Sequence, residues 1–133
     1  MQKTYGNKVR IVFKDFPLPN HAEAGKAAEA AHCAGEQRKY WEMHDAMFAN
    51  QRNLHVPTLK QAARSLGLDG AAFDRCLDAG KHAANVRADY ELGERMGVNS
   101  TPTFYINGRA LVGAQPFDAF KLIIDEELSR VGK

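Results

Sequence analysis

At 133 residues, 44% apolar and 26% charged, the chain is long enough for one globular domain with a real core. Its 18 Lys and Arg against 16 Asp and Glu leave a net charge of +2 and no basic stripe, which argues against a nucleic-acid binder. No apolar run approaches the ~20 residues a membrane-spanning helix needs, and polar residues 1–10 carry no signal-peptide core.

The first predicted element is a strand over Lys8–Phe16. Val9, Ile11 and Phe13 alternate with Arg10, Val12 and Lys14, and Phe16 extends the series. Pro17 and Pro19 end it. Asn20 and Glu23 form a capping-box pattern before an alanine-rich helix that runs to Ala34 and stops at Gly35. A second helix is expected over Arg38–Asn50. Tyr40, Met43 and Met47 lie along one side, with His44 and Phe48 one step round. Pro57 stands at the start of the next helix, which ends at Leu66 with Gly67 behind it. A short helix follows over Ala71–Leu77, then one over Lys81–Met96 that closes at Gly97.

Thr103–Ile106 and Arg109–Val112 are β-branched and aromatic runs separated by Asn107-Gly108. That dipeptide is the strongest short hairpin signal, because a type I′ turn needs φ > 0 at both central residues. Pro102 heads the hairpin, where a missing N–H is tolerated. Pro116 opens a last helix with Phe117, Phe120, Ile124 and Leu128 in an apolar stripe, and Gly132 ends it.

Cys33 and Cys76 are far apart and form neither a zinc pattern nor a Cys-x-x-Cys. From the residues alone they are two buried thiols or one disulfide. His21, His32, His44, His55 and His82 fit no two-His helical ligand pair, so no metal site is expected. His44 reads as packing, since no nucleophile motif accompanies it. No phosphate loop, Ser nucleophile elbow or cofactor motif is present, and no cofactor is expected.

The wording Thr101-Pro102-Thr103-Phe104-Tyr105-Ile106-Asn107-Gly108, then Gly113-Ala114-Gln115-Pro116-Phe117, resembles the cis-proline hairpin of DsbA-like thiol-disulfide oxidoreductases. Trp41-Glu42-Met43-His44-Asp45 resembles a signature of that family's helical insertion, and Pro17-Leu18-Pro19 its exit from a core strand. The resemblance implies an α/β thioredoxin-like fold with a helical insertion, mostly helical around a small incomplete sheet. It implies one domain over 1–133, with its core at 1–19 and 97–133 and its insertion at 20–96. The family's Cys-x-x-Cys would precede Met1, so the chain reads as truncated at its N-terminus, with no catalytic residue of its own.

Further expectations come with the resemblance. The Thr101–Pro102 peptide would be cis, where an ordinary X-Pro bond is trans. Thr101 and Pro102 would bind substrate, an extended cysteine-containing polypeptide. Cys33 and Cys76 would form a structural disulfide, and the protein would be periplasmic or otherwise extracytoplasmic. A missing central strand would leave unpaired strand edges and favour a homo-oligomer. The function implied is that of a thiol-disulfide oxidoreductase or disulfide isomerase domain, redox-inactive as this polypeptide. Two alternatives remain: a non-enzymatic module that binds peptides through the same loop, and a glutathione-dependent isomerase or transferase of the same fold.

Overall fold

The computed structural model describes residues 1–132. Helix α1 (Gln2–Tyr5) leads into a 3-10 turn at Gly6–Lys8. Five helices follow: α2 (Ala24–Gly35), α3 (Tyr40–Ala49), α4 (Val56–Ser65), α5 (Gly70–Asp78) and α6 (Ala83–Arg95). Strands β1 (Thr103–Ile106) and β2 (Arg109–Val112) then precede α7 (Phe117–Val131). The chain divides into two compact units, Met1–Lys14 with Gly93–Lys133, and Asp15–Leu92.

The second, helical unit holds the larger core. Helix α2 packs on α3, α4 and α5, and α4 packs on α3 and α5. Alanines make this close packing feasible: Ala30 and Ala34 of α2 and Ala63 of α4 are fully buried. Met43, Leu59, Phe73 and Leu77 fill the space between them. Two local signals set the boundaries. Asp69 caps α5 by accepting from the Ala72 N–H at 3.1 Å, and Gly67 supplies the positive φ of +79° that ends α4.

In the other unit β1 and β2 pair antiparallel, with Thr103 opposite Val112 and Ile106 opposite Arg109. Asn107 and Gly108 both have positive φ, 49° and 86°, as a type I′ turn requires. Tyr5, Phe120 and Ile124 form the small core here, flanked by Val9, Ile106, Leu111 and Leu128. Tyr5 also donates its hydroxyl to Asp125 at 2.6 Å, tying α1 to α7.

Two expectations are corrected. Lys8–Phe16 is not a strand: Lys8 ends the 3-10 turn, and residues 9–16 run without a ladder among the described residues. Alternation alone cannot make a strand; a backbone partner must be present to take the N–H and C=O groups. The capping box also fails. Glu23 is itself the N-cap residue of α2 and makes no side-chain cap. Its carboxylate instead accepts from the Leu54 N–H at 3.2 Å and pairs with His55 at 2.9 Å, so a tertiary contact outcompetes the local one. The apolar stripe on α7 is narrower than its spacing suggests: Phe120 and Ile124 are buried, while Phe117 is 40% exposed.

Glu127 on α7 gives the hairpin unit a pH signature. Its side chain is buried and accepts from Arg109 at 3.2 Å and from Arg130 at 3.1 Å. Burial alone would push its pKa up, but the Arg109 and Arg130 contacts prevail and hold it below its ordinary value of 4.5. A depressed carboxylate stabilises the fold above its unfolded pKa, and that stability is lost as pH falls through the folded value. Glu127→Gln should therefore lower Tm at pH 7, with the gap closing toward the parent as pH falls below the ordinary 4.5 and through the depressed folded value. A Tm gap that stays constant across that range would contradict the pairing.

Candidate functional site

The segment between α6 and β1 is shaped by backbone bonds. The Val98 N–H donates to the Gly93 carbonyl at 2.9 Å, and Gly97 takes φ +85°, which closes the helix and turns the chain. Tyr105 donates its hydroxyl to the Met96 carbonyl at 2.8 Å, and Thr103 donates its hydroxyl to the Ser100 carbonyl at 2.7 Å. The Gly113 N–H donates to the Pro102 carbonyl at 2.8 Å, extending the hairpin by one bond.

Within this frame Asn99, Ser100, Thr101 and Pro102 are all exposed. The Thr101–Pro102 peptide is cis. The Thr101 N–H and C=O make no hydrogen bond to any described residue. Among the described residues β1 pairs only with β2, so its other edge carries no ladder. An exposed, unpartnered peptide unit at the head of an open strand edge is a template on which an extended chain can form main-chain bonds.

Cys33 and Cys76 lie in the helical unit, on α2 and α5, and are joined in a disulfide with Cα atoms 5.9 Å apart. Neither cysteine is free. Both belong to the buried core, at 1% and 7% exposure. The disulfide closes a separation of 43 residues and fastens two helices already in contact. Thiol chemistry needs an accessible thiolate, and this pair offers none.

His44 sits on the aromatic side of α3, with its ring 4.7 Å from Phe48 and 5.1 Å from Trp41, and its Nδ1 lies 3.0 Å from Asp45. One cluster escaped the reading by spacing. Asp15, His32 and Asp89 converge in the helical unit although they lie far apart in sequence. Only the fold brings them together, so no local pattern could have announced them.

A hairpin led by an exposed X-Pro unit, with a helical unit inserted before it, is the arrangement of a thioredoxin-like domain. The thioredoxin family model matches residues 2–126, and the chain belongs to that family. Among curated proteins it is 36% identical over 117 residues to "Na(+)/H(+) antiporter NhaA 3" of Salinispora tropica, covering 87% of this chain and 18% of the relative. It is 37% identical over 129 residues to "Na(+)/H(+) antiporter NhaA 1" of Mycobacterium sp. strain KMS, covering 95% and 21%. It is 33% identical over 128 residues to "Na(+)/H(+) antiporter NhaA" of Herminiimonas arsenicoxydans, covering 96% and 20%. The chain thus spans about a fifth of the length of the curated relatives it matches. Among the described residues no helix is long and apolar enough to cross a membrane.

Proposed function

We propose that this chain is a DsbA-like domain of the thioredoxin family that docks extended polypeptides through their main chain at Thr101 and Pro102, whether or not they carry a cysteine, and, as this polypeptide, performs no redox chemistry itself. The observation that carries the reading is the exposed Thr101 peptide unit, whose N–H and C=O make no hydrogen bond among the described residues, at the head of the β1 edge that carries no ladder. A docked strand would satisfy both groups and continue the ladder. Cys33 and Cys76 serve as a structural staple of the helical unit, which accords with an extracytoplasmic setting.

The curated relatives point to a setting for the domain rather than to its chemistry. They are named as antiporters rather than as oxidoreductases, and the matched part is a minor share of each. We propose that the domain works alongside a membrane transporter, as a module that binds peptide segments outside the bilayer. Insulin reduction tests the redox half. With dithiothreitol as reductant, the chain should leave the rate at the dithiothreitol baseline. Turnover that alkylation of Cys33 or Cys76 abolishes would overturn the reading, and tight glutathione binding would favour a transferase of the same fold.

Self-association is part of the proposal. Ile11 and Val12 are 43% and 58% exposed in a stretch that joins no β-ladder among the described residues. Such an extended apolar segment can pair with its counterpart in a second copy. Sedimentation velocity should show a concentration-dependent dimer that Val12→Lys shifts to monomer. A monomer at every concentration would remove this part.

A further inference from the structure

Three stretches of the helical unit meet at one point. Asp15 comes from the extended segment before α2, His32 from α2 and Asp89 from α6. His32 Nε2 lies 2.6 Å from Asp15 Oδ2, and the Asp15 main-chain N–H donates to Asp89 Oδ2 at 3.0 Å. One donor atom from each residue lies within 4.8 Å of the other two. The Asp15 side chain is only 4% exposed, whereas that of His32 is 26% exposed and leaves a way in.

Burial and two carboxylates both bear on this point. Burial pushes the Asp15 carboxyl above its ordinary range; the His32 contact pulls it back, and the Asp89 charge pushes it up again. The Tyr40 hydroxyl, whose ring lies 5.6 Å from that of His32, is pushed up to about 12 by burial and then by the charges of Asp15 and Asp89. A buried carboxylate held against a second carboxylate, with an imidazole nitrogen on the same point, is a donor set that a divalent cation satisfies.

We propose that Asp15, His32 and Asp89 form a divalent-cation site that takes Zn2+ through Asp15 Oδ2, His32 Nε2 and a carboxylate oxygen of Asp89, with a fourth position open to water. Zinc bonds of ~2.0–2.2 Å place tetrahedral donors roughly 3.3–3.6 Å apart. The 2.6 Å His32–Asp15 contact therefore opens by less than ~1 Å as the ion replaces the proton between them. The bound ion fastens the segment before α2 to both α2 and α6. A neighbouring group, Cys33, Cys76 and His82, is also close enough to hold an ion, but its two sulfurs are committed to the disulfide. The site departs from the expectation that no metal is held, because ligands this far apart in sequence leave no spacing to read.

Zinc chloride titrated into the oxidised full chain by calorimetry is the direct test. One equivalent should bind with Kd below about 100 μM. His32→Gln and Asp89→Asn should each weaken it by roughly tenfold or more, while His44→Gln leaves it unchanged. On the unaltered chain, zinc should also shift the His32 ring resonances and spare those of His21, His44 and His55, which keeps the test decisive if a variant misfolds. No zinc binding at 1 mM, or binding with the His32 resonances unmoved, would overturn the proposal.

Discussion

Replacing both cysteines, by Cys33→Ala with Cys76→Ala, is expected to cost the helical unit about 4 kcal/mol, the chain-entropy value for closing a loop of 43 residues. The effect falls on the unfolded state, whose freedom the crosslink restricts. A second contribution comes from the folded side, because both side chains sit in the main core at 1% and 7% exposure and leave a void when truncated. Urea unfolding followed by far-ultraviolet circular dichroism measures the sum. A midpoint shift worth less than about 1 kcal/mol would show that the staple does little, and would remove the structural role assigned to these residues.

Phe73→Ala should be the most damaging single change, at about 3–5 kcal/mol. Phe73 is fully buried on α5, in the cluster with Met43, Leu59 and Leu77. The informative comparison is with Phe117→Ala. Both are phenylalanines on helical apolar faces, but Phe117 is 40% exposed, and its loss should cost under about 1 kcal/mol. Equal costs at the two positions would mean that burial does not rank these residues and that the assignment of the core is wrong.

Phe117 also shows where the sequence stops being legible. Its place in the series with Phe120, Ile124 and Leu128 puts it on the correct face of α7, but periodicity does not say how far along a helix the partner surface reaches. The hairpin was fully legible because its determinants are local: Asn107-Gly108 fixes the turn, and the turn fixes the register from Thr103–Val112 to Ile106–Arg109. The same holds for the glycine that ends α4.

Lys8–Phe16 misled for the opposite reason. Its alternation is real, but a strand is a relation between two segments, and the described chain supplies no ladder for this one. Glu23 failed as a capping residue because Leu54 and His55, about thirty residues on, offer its carboxylate a better contact. The candidate docking loop was readable from its wording. Asp15, His32 and Asp89 were not, since three residues brought together by packing carry no signature in the order of the chain.

On the proposed function, Thr101 and Pro102 present an exposed peptide edge to an extended partner without thiol chemistry. Titration of the 15N-labelled full chain with an extended cysteine-containing peptide, and with the same peptide carrying serine instead, tests it most directly. Amide shifts confined to Asn99–Thr103 and β1, with equal affinity for both peptides, are predicted. Shifts elsewhere, no shifts at millimolar peptide, or binding that demands the cysteine would contradict it.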